Sequence, residues 1–254
     1  MSDRIFQISG QGLDTTDAEM RALMTNMVNA DTPGFKKSYP IVRSFSSYLD
    51  DAVRGGSYSS APGSSSEAPR VTGIAIDSTR GFLKPTNNPL DCALSDEGYF
   101  VVQSPSGELF TRDGRFQLDR DGALRTVAGN YTVLGRSGPI HVTAGSPLTI
   151  SPTGDVLSGS EKVDTLRVEQ VSKPDALENL GGVFFRLPEN DRGIDIKEVE
   201  SPQVVQGFVE MSNVEIVDQI MRMVYDNRLY SSNTKMIQTR EQMLSRALDL
   251  ARQD

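Results

Sequence analysis

Two stretches at opposite ends of the chain place apolar residues seven apart. Near the start, Phe6, Leu13, Met20 and Met27 keep the interval, and near the end Leu229, Met236, Met243 and Leu250 keep it again. An interval of seven returns a side chain to one face of a helix every two turns, so each end reads as a helix with an apolar stripe that must be covered. Ile5, Leu23, Met24 and Val28 widen the first stripe. Val217, Met221 and Val224 lead into the second before a phase slip, and Ile216, Ile220, Met223 and Leu244 widen it.

The pattern predicts helices over residues 3–30 and 212–252. Gly10 and Gly12 weaken the first turns of the N-terminal helix. Asp31, Thr32, Pro33 and Gly34 stop it, and Thr32 is pushed out of the helical region by the proline that follows. Ser212 and Glu215 have the spacing of a capping box ahead of the second helix. Unbroken, that helix is about 60 Å long, too long to lie on a small β-domain alone.

Between the ends the texture changes. Residues 55–69, "GGSYSSAPGSSSEAP", contain eleven Gly, Ser or Pro residues in fifteen, the composition of a linker. From Val71 to about Val209, short β-rich runs alternate with turn signals. Tyr99 to Gln103 reads as a strand, Asp113-Gly114 and Asp121-Gly122 as reversals, and Gly154 as a turn inside "PLTISPTGDVLSG". No amphipathic helix interrupts the strands, so the sheets should be antiparallel. The expected fold is α+β. The terminal helices (1–35 and 210–254) pair as a coiled-coil-like α-helical hairpin, residues 36–70 form an extended connection, and residues 71–209 form a central, mostly antiparallel β-domain. The stripes are wider than one helix–helix seam needs, which points to neighbours from other copies.

Composition narrows the function. A net charge of −8 and a pI near 4.8 leave no basic face for general nucleic-acid binding. No run of 18 apolar residues spans a membrane, and "MSDRIFQISGQGLDTTD" lacks the basic and apolar regions of a secretory signal. The lone cysteine, Cys92 in "PLDCALSD", reads as buried and not reactive. The lone histidine, His141, reads as a strand residue, with no Cys/His cluster for zinc. "QLDRDGALRTVA" sets Asp119 and Asp121 before Gly122, but Ala128 stands where an EF-hand needs its bidentate carboxylate. There is no G-x-S-x-G or Walker sequence. No enzyme, cofactor or metal is expected.

Several stretches together resemble the flagellar basal-body rod and hook proteins. "TNMVNADTPGFKK" is similar to that family's N-terminal motif through Asn26, Asn29, Thr32, Gly34 and Phe35, with Thr25 and Val28 departing from it. "NNPLDCALSDEGYFVV" and "LFTRDGRFQLDRDGALRT" resemble its central stretches. "VVQGFVEMSNVEIVDQIMRMVYDNRLYSSNTKMIQTREQML" resembles its C-terminal signature, with Ser212, Asn213, Tyr230 and Asn233 among the matches. The resemblance implies a rod subunit of the proximal or distal type, with no room for the outer domains of a hook subunit. It implies export by the flagellar type III apparatus without a cleaved signal peptide, and helical polymerisation around an inner tube in the periplasmic basal body. The implied partners are copies of the chain, other rod and hook subunits, and surrounding ring proteins. The heptad residues, together with Val217, Met221 and Val224, are then the expected assembly interface, and Gly34 and Phe35 hold the chain where it leaves the helix. The competing readings are a hook-type axial subunit and a secreted carbohydrate-binding or peptidoglycan-acting β-protein.

Overall fold

The computed structural model describes residues 2–43, 70–143, 147–188 and 193–251; within the helices, the side chains of residues 2–9, 244 and 247–251 are not described. The linker expected over residues 55–69 lies outside the described residues, as do the side chains of Phe6 and Leu250. The chain divides into two compact units. One gathers residues 1–27, 38–74 and 216–254, and the other residues 28–37 and 75–215.

The helical unit contains α1 (Ser2–Val28) up to Met27, α2 (Ile216–Ala251) and all but the last two residues of a two-stranded ribbon, Ser38–Arg43 with Arg70–Ile76. Helix α1 stops two residues before the expected point. Asn29 and Thr32 make the turn that ends it, with the Thr32 amide donating to the Asn29 carbonyl at 3.1 Å and the Thr32 hydroxyl to Asn29 Oδ1 at 3.3 Å. Helix α2 begins at Ile216, after the expected cap. Ser212 Oγ instead accepts from the Val214 amide at 3.2 Å, a local turn that ends before the helix starts.

In the β unit, every strand pairing is antiparallel. The central hairpin joins Tyr99–Ser104 to Gly107–Thr111, with Val101 opposite Phe110. It lies inside a nine-stranded sheet that also takes in Phe116–Leu118, Leu124–Thr126, Val168–Val171 and Phe184–Arg186. A three-stranded meander, Leu148–Ile150, Asp155–Ser158 and Glu161–Thr165, stands apart, with Gly154 in its turn at φ +82°. Two further pairs bring the C-terminal part of the unit back to its beginning: Cys92–Leu94 with Val204–Gln206, and Leu83–Pro85 with Phe208–Glu210. The main core holds Phe35, Cys92, Phe100, Phe116, Leu124 and Val204 among its buried residues. A second cluster around Tyr99, Val101, Phe110 and Phe185 lines the other side of the hairpin, as alternation along a strand requires.

The α+β class holds, but the coiled-coil-like hairpin does not. The apolar heptad of α2 is not buried in a seam: Val217, Met221, Val224, Leu229, Met236 and Met243 are all exposed. The described contacts between the two helices include polar and small residues. Asn26 Nδ2 donates to Gln219 Oε1 at 3.3 Å, Glu19 feels the Asp226 charge, and a Cβ on Gly12 would sit 3.4 Å from Asn233 Nδ2. Gln219, Asp226 and Asn233 are themselves seven apart, so a polar stripe shares the apolar stripe's period. Periodicity identifies faces and does not say which face a given neighbour will take.

Candidate assembly surfaces and the junction that supports them

Helix α2 is unusual in what it leaves in water. Val217 is 64% exposed, Met221 68% and Met243 66%, with Ile216, Ile220, Tyr225 and Tyr230 also exposed. Its two buried side chains among those described are polar, Gln219 and Asp226. On α1 the expected stripe is half-buried at Leu13, Met20 and Met27, while Leu23 is buried and Met24 and Val28 are exposed. An exposed apolar row of this length is a candidate interaction surface.

The motif asparagines do specific work. Asn26 is buried and reads the backbone of Ser38 in both directions: Nδ2 donates to its carbonyl at 2.8 Å, and Oδ1 accepts from its amide at 2.9 Å. This ties the end of α1 to the start of the ribbon. Asn213 does the same for the other chain end. Its Oδ1 accepts from the Lys37 amide at 2.7 Å, and its Nδ2 donates to the Asp77 carbonyl at 2.9 Å. Asn233 is half-buried opposite Gly12, and Tyr230 is exposed. So the structure brings Asn26, Gln219 and the ribbon together in one unit, and Gly34, Phe35, Ser212 and Asn213 together in the other. Tyr230, on the exposed part of α2, joins neither group.

Gly34 sits at φ +74°, and a Cβ there would lie 2.2 Å from the Asp113 amide nitrogen. Both the backbone angle and the space therefore select glycine. Its amide donates to the Glu210 carbonyl at 2.7 Å, and the next residue, Phe35, is fully buried in the main core. Asp113 is fixed in turn by two bonds from Arg115, at 2.9 and 2.8 Å.

Beside Phe35 lies a cluster that sequence reasoning missed. Glu210 is buried and accepts from Lys36 Nζ at 2.6 Å, from the Gly81 amide at 3.0 Å and from Arg112 at 3.2 Å. Two buried cations thus share one carboxylate. Burial pulls the Lys36 ammonium and the Arg112 guanidinium below their ordinary ranges, and the Glu210 charge opposes that pull in both. The Arg112 guanidinium also stands 5.2 Å over the Tyr99 ring, whose phenol is pushed up to about 12 by burial. In the sequence these residues sit in "GFKK", "FTRDG" and "GFVEMS" and look like ordinary solvated charges. The available signal was a single carboxylate inside an apolar, β-rich run. Cys92 is fully buried, and its thiol is pushed up by that burial.

Residues 205–250, which include the second connection and nearly all of α2, match a family model described as the flagellar basal body rod FlgEFG protein C-terminal. Residues 93–158 match the flagellar hook protein FlgE/F/G D1 domain. Over nearly its whole length the chain is similar to two proteins at 28 and 29% identity. They are the flagellar basal-body rod protein FlgG of Buchnera aphidicola subsp. Acyrthosiphon pisum (96% of this chain, 98% of the relative) and FlgF of Salmonella typhimurium (98% of each). Along nearly its whole length the chain is similar to flagellar basal-body rod proteins. FlgF of Caulobacter vibrioides is 29% identical over 92% of each chain. The matched C-terminal segment carries the exposed row from Val217 to Met243, and the matched central segment carries the hairpin at the heart of the β unit.

Proposed function

We propose that this chain is a structural subunit of the flagellar basal-body rod, and that the exposed apolar row of α2 is where it packs against other subunits. One observation carries the reading: the row lies within the family-matched C-terminal segment and is exposed, with no cover among the described residues. Covering it removes apolar area from water at roughly 25 cal/mol per Å². A rod needs heterologous contacts that repeat without closing, and a long one-sided row suits that geometry better than a self-complementary patch. Phe6, Leu13, Met20, Met27 and Leu250 join the proposed interface from the same two helices, with Val217, Met221, Val224, Leu229, Met236 and Met243. In the proposed subunit the helices (1–35 and 210–254) are the inner assembly region, residues 36–70 the connection and residues 71–209 the outer β-domain.

The finer assignments rest on the same reading. The chain leaves the cytoplasm through the flagellar export apparatus, polymerises with copies of itself and with other rod and hook subunits inside the surrounding rings, and carries torque without catalysing a reaction. Met243→Asp tests it. An unpaired carboxylate in a closed contact costs a few kcal/mol at every repeat. Since Met243 is exposed in the single chain, folding of the monomer should be unaffected. Cells carrying Met243→Asp as their only copy should lack hooks and be non-motile. Motile cells would sink the assignment.

A further inference from the structure

The β unit holds its two connections by different physics. The N-terminal one is anchored by Phe35, fully buried in the main core. The C-terminal one, residues 207–213, buries Val209 and Met211 outside both core clusters and is otherwise held by polar contacts. Its strand Phe208–Glu210 pairs only with Leu83–Pro85, as a two-stranded sheet apart from the nine-stranded one. The three residues of Leu83–Pro85 are exposed, and none of the six residues in this pair belongs to either core cluster. What fixes the segment is Glu210 on Lys36, Arg112 and Gly81, Asn213 on the backbone of Lys37 and Asp77, and the Met211 amide on the Phe82 carbonyl at 2.9 Å. Gly81 allows the approach, because a Cβ there would lie 1.7 Å from the Met211 carbonyl oxygen.

We infer that residues 207–213 form a latch that opens as a unit, releasing the connection to α2 while Phe35 and the nine-stranded sheet stay folded. Opening an apolar core exposes apolar area with no return. Opening a buried charge cluster restores hydration to three ions that were desolvated on closing, so the net cost is smaller. Partial openings of this kind occur where few apolar contacts and many polar ones hold a segment. The latch is asymmetric: residues 207–213 can open while Phe35 stays in the core. It needs no assumption about what α2 packs against.

Native-state hydrogen exchange on the full-length monomer, with low concentrations of denaturant, tests the inference. The latch reporters are the amides of Gly34, Thr86 and Met211, bonded to Glu210, Gly207 and Phe82. The sheet reporters are the amides of Leu124, Thr126 and Leu134, bonded to Ile140, Tyr131 and Val101. The latch reporters should exchange through one shared opening, with a smaller denaturant dependence than the sheet reporters. Glu210→Gln, which leaves two buried cations without a counter-charge, should speed the latch reporters about 10- to 100-fold and leave the sheet reporters unchanged. A single opening for both groups in the unaltered protein would overturn the latch, whatever the variant does. An equal change in both groups on Glu210→Gln, or none in either, would overturn it as well.

Discussion

The junction of the β unit and the outer face of α2 invert the usual rule, in opposite directions. The junction buries charge: Lys36, Arg112, Asp113 and Glu210 are each at most 4% exposed. The helix exposes hydrophobicity: Val217, Met221 and Met243 are each more than 60% exposed, and its buried described side chains are Gln219 and Asp226. The buried charges pair with one another and with backbone groups within the chain, although Arg112 Nε finds no partner. The exposed row has no cover among the described residues. Under the proposed function, the difference separates contacts completed within one copy from surface left for others: polar groups and Phe35 hold the two chain ends at the β unit, and the apolar row is left exposed.

The strongest way to break the self-sufficient side is at Gly34. Gly34→Val forces a β-branched residue to positive φ and into the Asp113 backbone. It should destabilise the β unit by about 3 kcal/mol or more, read as a fall in its thermal unfolding midpoint. Unfolding within error of the unaltered protein would mean that the turn relaxes and the crossing is not fixed. Lys36→Met sharpens the same side. It leaves Glu210 with one cation, Arg112, and swaps a buried ammonium for an apolar chain of similar length. The loss should stay within about 1 kcal/mol by denaturant unfolding, because the second cation is in excess. A loss of several kcal/mol would show that both cations are needed.

The helix contact offers a smaller effect with a definite sign. Burial raises the Glu19 carboxyl above its ordinary range, with Asp226 adding to the shift, and burial raises Asp226 as well. A carboxyl raised in the folded state favours its protonated form there. The helix contact is therefore weakest when both groups are ionised, strengthens as pH falls through the raised values, and stops gaining below the ordinary carboxylate range. Facing like charges of this kind cost a few tenths of a kcal/mol. Proteolysis of the helices should slow modestly from pH 7 to pH 5, and Asp226→Asn should flatten that slope. Slower proteolysis at pH 7 than at pH 5 would contradict the assignment. The smallest effect belongs to the exposed row. Met221→Asp should change monomer stability by no more than about 0.5 kcal/mol, and a larger loss would mean that Met221 is covered within the chain.

Much of this division was legible in the sequence. The seven-residue spacing located both helices to within a few residues, because helical period and apolar pattern agree over long runs. Alternation and Asp-Gly turns marked the central hairpins, because strand period and turn chemistry are local. The partner of each stripe was not legible. Gln219, Asp226 and Asn233 repeat with the same period as Leu229, Met236 and Met243, and intuition assigns the inner face to the apolar set. In a single copy the polar set takes it. The Lys36–Arg112–Glu210 cluster was hidden for a different reason. Its members are 76 and 98 residues apart, each looks solvated in its local window, and only the antiparallel return of residues 204–210 to the start of the unit brings them together.

The exposed row carries its own chemical reporters. Met221, Met236 and Met243 lie along α2, and each is more than half exposed in the single chain, whereas Met211 at the junction is buried. Peroxide converts accessible methionine to the sulfoxide, and peptide mass spectrometry reads the conversion site by site. In the purified monomer, the three helix methionines should oxidise quickly and Met211 slowly. In isolated rods containing this subunit, all four should be slow. Oxidation of Met221, Met236 and Met243 at the monomer rate within intact rods would contradict the claim that this face is the assembly surface.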